Sequence, residues 1–488
     1  MTSLILTLAL GAAPLHEQET VVAVPFTTDS TEHVWVGSGI AHALNLRVYA
    51  QPGLNAMSLR QVRAAARNDG LDLATAHQPN VASALGRQLG ADTMVVGAYR
   101  VDGTTVTVDL RVLQPGGGQL LFDGKVQGTL SDLVDLEQKI AMELAKSLGA
   151  KNPDVTRGAF GTLSVEAWRE VTRGLGRASW QSLSPRNASS DQPRVLKADD
   201  LKAIEAHFRK ATEIDEDYGE AWAGLGLVAA LRDRYEEAQG HLNKATAVSG
   251  AHQPTAVLAT YFLRLRQGRN ADAVDVLQRA LAIHPGFLHA RGYLAELFVQ
   301  LGELDKAVEA YGAYLAVAPR QAWVLAQRGY ALAKLGKPNL AIADTIAAVD
   351  LLPRSPTLLI ELASRYIDSG KLIGAEDTLR HALELHPSEG RIYVRLCYVY
   401  LLQRNDEVAI PLCEKSIDLN GSAERRRDRG YAHLNLAQAY GRTGDLDQAF
   451  SHLKSAKADG IQTFSGLTKD PDLERMRADR RFRAMVGR

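Results

Sequence analysis

A 34-residue period runs through the second half of the chain. Such a period is typical of repeat architectures, in which each unit buries its apolar face against its neighbours. Alanine suits places where two helices cross closely, and proline ends one helix before the next unit begins. We therefore predict consecutive antiparallel helical pairs. The period is carried by Pro285, Pro319, Pro353 and Pro387, and by Ala273, Ala307, Ala341 and Ala375.

A helix-turn-helix unit with alanine and proline at these places resembles the tetratricopeptide repeat. Extending the register predicts an all-α superhelical solenoid of about eight units over residues 164–461. A polar insert rich in Ser, Asn and Pro, at about 178–199, is expected to be a loop inside the first unit. Residues 462–488 are expected to form capping helices that cover the apolar end of the array.

The segment before the repeats has a different pattern. Val21–Phe26 is an apolar, β-branched run that predicts a buried strand, and Asp102-Gly103 predicts a tight hairpin. The strand after this turn alternates apolar and polar residues, so one face should be buried. We predict an α+β domain with a mixed sheet over residues 18–152. Its order of strands and helices resembles the TolB amino-terminal/FlgO-like domain, which is common in bacterial envelope and signalling proteins.

The first residues form a separate segment. Leu4–Leu10 is a short apolar run followed by small residues, which resembles a secretory signal over residues 1–17. No Lys or Arg precedes the run, so the alternative is an apolar arm that packs on the first domain. The run is shorter than the roughly 20 apolar residues that span a bilayer, and charges interrupt every later apolar stretch. We therefore expect no transmembrane segment.

Charge and residue types exclude several functions. Lys and Arg total 56 and so do Asp and Glu, so the formal net charge is zero and no overall field attracts nucleic acid. No phosphate-binding loop or hydrolase motif occurs, and we expect no catalytic residue, cofactor or metal. Cys397 and Cys413, the only cysteines, fall on the two helices of one unit. We expect them to be small core residues, about one turn out of register for a disulfide.

The resemblance to tetratricopeptide repeats implies that the first helix of each unit lines a concave face that binds partners. Exposed aromatic residues and arginines on such a face suit an extended peptide or a partner helix. The alternative for each residue is packing inside the solenoid. The register predicts the following partner-binding set: Tyr293, Trp323, Tyr330, Arg391, Arg395, Tyr398, Tyr431 and Asn435.

These features predict a non-enzymatic scaffold that binds a protein or peptide and is a candidate member of a larger complex. The resemblances imply an exported protein in bacterial envelope assembly or signalling. The alternative is a cytoplasmic adaptor that acts in trans on a signalling enzyme such as a cyclase or kinase. A third class, a hydrolase, would need convergent polar groups that the sequence does not offer.

Overall fold

A computed structural model of the chain describes residues 19–51, 54–57, 62–63, 66, 71–150, 162, 164–177, 197–250, 253–422, 425–462, 467–468 and 470–486. The chain divides into two compact units, Met1–Val324 and Leu325–Arg488. The predicted signal segment and residues 178–196 of the predicted insert lie outside the described residues. Ala198 and Asp199, which we counted in the insert, belong to a helix.

The N-terminal unit begins with a five-stranded mixed sheet, which confirms the predicted α+β region. The strand order is β2-β1-β3-β4-β5. Strand β1 pairs in parallel with β2 and β3, whereas β3–β4 and β4–β5 are antiparallel. The short strand β2 was not predicted. The strands are β1 (Glu19–Ala23), β2 (Leu54–Ala56), β3 (Thr93–Asp102), β4 (Thr105–Gln114) and β5 (Gln119–Thr129).

Three helices whose full bounds lie within the described residues cover this sheet: α1 (Val34–Ala50), α2 (Pro79–Leu89) and α3 (Leu133–Ser147). Because side chains alternate along a strand, Val108 and its neighbours at even positions of β4 point into one core with α1 and α3. Met94 points to the other face, where α2 approaches so closely that a Cβ at Gly86 would clash with it. We call Glu19–Ser147 the sheet region.

Four helical pairs follow in the same unit. Small residues let the helices approach, as the register predicted. A Cβ on Gly224 would lie 2.6 Å from the Phe208 ring, and one on Gly226 would lie 2.7 Å from Leu242. The pairs are α4 (Val165–Arg177) with α5 (Ala198–Ile214), α6 (Gly219–Leu231) with α7 (Tyr235–Ser249), α8 (Pro254–Arg266) with α9 (Asn270–Ile283), and α10 (Leu288–Leu301) with α11 (Leu304–Val317).

Further pairs continue the series, so the described residues contain the predicted eight. Leu467, Leu473, Met476 and Phe482 of the C-terminal segment join the core of the last pair. The remaining helices are α12 (Ala322–Lys334), α13 (Pro338–Leu351), α14 (Pro356–Asp368), α15 (Leu372–Leu385), α16 (Gly390–Leu402), α17 (Asp406–Leu419), α18 (Arg426–Thr443), α19 (Leu446–Ala458), α20 (Glu474–Ala478) and α21 (Arg480–Val486).

The turn inside each pair repeats as regularly as the helices do. Gly268, Gly302, Gly336 and Gly370 all have positive φ, between 71° and 77°. The next position in this series is Arg404, with φ 63°. A side chain makes the left-handed conformation costly, so glycine is the favoured residue at this turn. Glycine at this turn therefore recurs every 34 residues, as the prolines and alanines do.

The two cysteines are core residues, as predicted, but our prediction that they are out of register for a disulfide was wrong. Cys397 on α16 and Cys413 on α17 form a disulfide, with their Cα atoms 5.5 Å apart. Both side chains are buried in the core of the C-terminal unit. We had placed the two positions about one turn apart, whereas the antiparallel crossing of α16 and α17 brings them side by side.

Candidate partner-binding surface

The first helices of successive pairs pack beside one another in the C-terminal unit. Helix α14 contacts α16, and α16 contacts α18. Their apolar sides are buried against α15 and α17, so the opposite sides form a continuous surface. Four residues of the predicted set carry this surface: Tyr330, Arg391, Arg395 and Tyr398.

Arg395 is the exposed arginine of this surface. In the part of the chain that the structure describes, its guanidinium has no hydrogen bond or ion pair. Tyr398, one turn further along α16, is half-buried. A partner can therefore meet an exposed guanidinium without a hydrogen bond and the side of an aromatic ring on one helix. Arginine and tyrosine are enriched at the energetic centres of interfaces.

Arg391 forms an ion pair with Glu389. Its Nε donates to Glu389 Oε1 over 3.0 Å, and Arg425 also donates to this carboxylate. Burial alone would raise the pKa of Glu389, but the hydrogen bonds from Arg391 and Arg425 lower it to about 2. Glu389 is therefore ionised at neutral pH. The guanidinium of Arg391 is paired with this carboxylate and holds it in position.

Asp428 of α18 faces the same arginines. Burial raises the pKa of its carboxyl group, although Arg391, Arg395 and Arg425 act in the opposite direction. Three cationic groups thus surround two carboxyl groups, of Glu389 and Asp428. The cluster keeps an excess positive charge even when both carboxyl groups are ionised.

The tyrosines differ in how far they are covered. Lys334 and Arg365 each lie 5.7 Å from the centre of the Tyr330 ring, so its face is occupied by cations. The Tyr431 side chain is 39% exposed, and Arg427 lies 5.8 Å from the centre of its ring. Tyr431 is therefore the most exposed of these three tyrosines, whereas Tyr330 and Tyr398 are both half-buried.

Two predicted residues lie inside the helix packing instead of on a surface. Tyr293 is 5% exposed, and its ring lies 5.3 Å from Tyr261 and 5.4 Å from Phe262. Asn435 is buried, and its side-chain amide donates to the Val394 carbonyl over 3.3 Å. The register gave the correct helix but not how deeply each side chain is covered.

Trp323 belongs to the N-terminal unit. Its ring packs edge-on against Tyr314, with 5.4 Å between ring centres, and a Cβ at Gly292 would lie 3.0 Å from it. The side chain is half-buried. Trp323 thus contributes to packing between helices of its own unit, and a role in partner binding stays a prediction.

A feature that we did not predict lies elsewhere in the N-terminal unit. The sheet region packs along the edge at which several of the helical pairs begin. We call the contacts along this edge the sheet–repeat junction. They join Trp35 to Trp168, with 6.1 Å between ring centres, His42 to Glu220 over 2.9 Å, Tyr49 to Phe287, with 4.8 Å between ring centres, and Gln321 Nε2 to the Leu89 carbonyl over 3.0 Å.

No cluster of three or more His, Cys, Asp or Glu side chains suited to a metal occurs among the described residues. Among the same residues, no helix combines the length and the apolar character that crossing a bilayer requires.

Residues 264–328 match the family model described as tetratricopeptide repeat. Cellulose synthase operon protein C of Pseudomonas fluorescens (strain SBW25) is 26% identical over 249 residues, which are 47% of this chain and 19% of that protein. Tetratricopeptide repeat protein 21A of Mus musculus is 25% identical over 251 residues, which are 51% of this chain and 18% of that protein. The match thus spans less than a fifth of the length of each of these curated relatives.

Two solved structures are similar to parts of the chain. A tetratricopeptide repeat protein from Parabacteroides merdae ATCC 43184 has a TM-score of 0.41 and 18% identity, covering 50% of this chain and 93% of that one. PilW, described as a type IV pilus biogenesis factor, has a TM-score of 0.35 and 17% identity, covering 45% and 96%. The family match and the helical pairs together show that the chain carries tetratricopeptide repeats.

Proposed function

We propose that the chain is a non-enzymatic scaffold that binds a protein or peptide through the first-helix surface of the C-terminal unit. Tetratricopeptide repeats generally mediate contacts between proteins. The observation that carries the proposal is the exposed guanidinium of Arg395, which no other described residue pairs with, beside the half-buried ring of Tyr398. Arg391, Tyr330 and Tyr431 complete the proposed surface.

The charge of this surface favours an acidic partner. Arg391, Arg395 and Arg425 outnumber the two carboxyl groups of Glu389 and Asp428. The C-terminal residues 420–488 contain 14 basic and 9 acidic residues, which adds to the positive field. Complementary charge speeds encounter and penalises basic competitors, whereas the aromatic contacts supply affinity.

We further propose that the protein is exported and takes part in envelope assembly or signalling. The buried Cys397–Cys413 disulfide supports export, because such bonds persist in oxidising compartments and are rare in the cytosol. The apolar run Leu4–Leu10 supports it independently. That the sheet region is a TolB/FlgO-like domain remains part of this proposal.

The alternative is a cytoplasmic adaptor that acts on a signalling enzyme. N-terminal sequencing of the mature protein separates the two locations. Export predicts loss of about the first 11 to 13 residues, and an intact N-terminus together with two free thiols in the native protein would contradict it.

The binding surface is tested with a partner captured by the wild-type protein and then purified. Arg395→Glu reverses the free charge, and we expect the dissociation constant to rise about 30-fold, corresponding to about 2 kcal/mol for an interfacial hot spot. Tyr398→Ala should weaken binding as well. Lys415→Glu, the same charge reversal on the exposed side of α17, is the matched control and should leave affinity unchanged.

A further inference from the structure

Glu220 is a buried carboxylate that receives three hydrogen bonds at the sheet–repeat junction. It lies in the first turn of α6 and is 4% exposed. Its Oε1 accepts from His42 Nε2 over 2.9 Å and from Thr255 Oγ1 over 3.0 Å. Its Oε2 accepts from the Tyr218 hydroxyl over 3.3 Å. One carboxylate thus joins α1 of the sheet region to the beginnings of two successive helical pairs.

Both members of the His42–Glu220 pair are shifted towards their charged forms. Burial alone would lower the pKa of His42, but the charge of Glu220 and its hydrogen bond raise it above the ordinary value. Burial alone would raise the pKa of Glu220, but the charge of His42 and the hydrogen bonds lower it. A buried carboxylate that loses its counter-charge is strongly unfavourable, so the contact depends on the proton of His42.

Two other side chains of the junction, Asn55 and Tyr49, have buried polar atoms without partners among the described residues. The Asn55 side chain is fully buried beside Gly286, and neither its Oδ1 nor its Nδ2 has a hydrogen-bond partner among the described residues. The Tyr49 hydroxyl, which lies on the ring that packs against His284 and Phe287, also lacks a partner there. Buried polar groups without partners each cost free energy, so these two side chains reduce the net stability of the closed junction.

We propose that His42 and Glu220 form a proton-dependent latch that holds the sheet region against the helical pairs. With His42 protonated, the ion pair is complete and the junction is closed. When His42 loses its proton, Glu220 remains ionised in a buried place without a counter-charge, and the junction loosens. The signal is a rise in pH, and the contact that responds is that of His42 on α1 with Glu220 on α6.

The direction follows from proton linkage. The pKa of His42 is higher in the folded protein than in the unfolded chain. The stabilisation is therefore complete below about pH 6.5, the ordinary value for histidine, and is lost as the pH rises through the raised value. Each unit of the difference corresponds to about a tenfold change in the equilibrium between closed and open junctions.

The other groups around the latch do not reproduce this behaviour. Glu220 is the charged group that acts on His42, and α8 contributes the neutral Thr255. Tyr218, with Asp215 behind it, keeps its proton because its pKa is well above 10. Helix α4 faces α1 at Gly39 with the uncharged side chains of Trp168 and Thr172.

One ion pair within the sheet region also titrates near neutrality. On α1 itself, Arg47 donates to Glu137 of α3. Burial raises the pKa of Glu137 to about 7, against the opposing effect of Arg47. The preference of the folded protein for the protonated form of Glu137 is lost as the pH rises through about 7, so this titration falls within the range of the experiment and is present in every variant. It is unaffected by substitution of His42.

Hydrogen exchange of the full-length protein between pH 6 and 9 tests the latch, after correction for intrinsic exchange rates. We expect amides of α1 and of the first turn of α6 to lose protection as the pH rises in the wild type. His42→Gln keeps a neutral donor but cannot titrate, so its protection should be low at pH 6 and should change with pH only through the titration of Glu137. His42→Lys keeps the positive charge and should stay closed to about pH 9.

The matched control is His207→Gln. His207 Nδ1 pairs with Glu170 over 2.7 Å, but both residues lie on the helices of the first pair and do not join the sheet region. This variant should retain the pH response of the wild type at α1. A wild type whose α1 exchange does not change with pH, or a His42→Gln variant that responds as the wild type does, would overturn the proposal.

Discussion

The Cys397–Cys413 disulfide allows a prediction whose size can be worked out from the structure. The two residues are 16 positions apart in sequence, so the bond closes a short loop across the hairpin of α16 and α17. In the chain-entropy description, a cross-link of this loop length removes about 3 kcal/mol of conformational freedom from the unfolded chain. Reduction should therefore lower the stability of this helical pair by about 3 kcal/mol.

Reduction is the cleanest perturbation, because both sulfur atoms remain in the core and only the covalent bond is lost. Hydrogen exchange of α16 and α17 in the intact chain reports opening of this pair. A loss of about 3 kcal/mol corresponds to about 150-fold faster exchange when reclosing is fast. The protein is prepared under oxidising conditions and measured with and without a thiol reductant after full equilibration.

Cys397→Ala is the control, since it cannot form the bond. Its exchange should be fast under both conditions, with an added effect from the lost sulfur in the core. Equal exchange of the wild type with and without reductant would refute the reasoning. So would alkylation of two free thiols in protein that had been unfolded without reductant.

Two further substitutions test the packing. A Cβ on Gly286 would lie 2.5 Å from Asn55 Oδ1, so Gly286→Ala should destabilise the protein by about 1–3 kcal/mol. Nothing lies within 4 Å of a Cβ on Gly240 of α7, and Gly240→Ala should instead stabilise it by up to about 1 kcal/mol. Equal shifts of the thermal midpoints would contradict this account. Arg442→Ala leaves the buried carboxylate of Asp470 without its main cation. We expect the free energy of unfolding, measured with denaturant, to fall by about 3–5 kcal/mol. A fall of less than about 1 kcal/mol would contradict this role of Arg442.

The helical pairs could be predicted from the sequence because their signals are local and periodic. Pro285 and its equivalents end second helices, and the alanines occupy close crossings. The glycines typified by Gly302 supply the left-handed turn inside each pair. Each of these requirements depends on a few neighbouring residues, so a single sequence reveals it.

The features that we missed depend on contacts between distant residues or on small rotations of a helix. His42 is one of several polar residues on a largely apolar helix, and its partner Glu220 is 178 positions away. A 34-residue register places Tyr293 on the correct helix but does not fix the tilt that buries its ring. The same uncertainty in tilt led us to separate Cys397 from Cys413.

Partner binding on the first-helix surface of the C-terminal unit is the central claim. It is tested most directly by the affinity of the purified partner for Arg395→Glu compared with Lys415→Glu. We predict a dissociation constant about 30-fold higher for Arg395→Glu and an unchanged one for Lys415→Glu. Equal affinities of both variants and the wild type would contradict the claim.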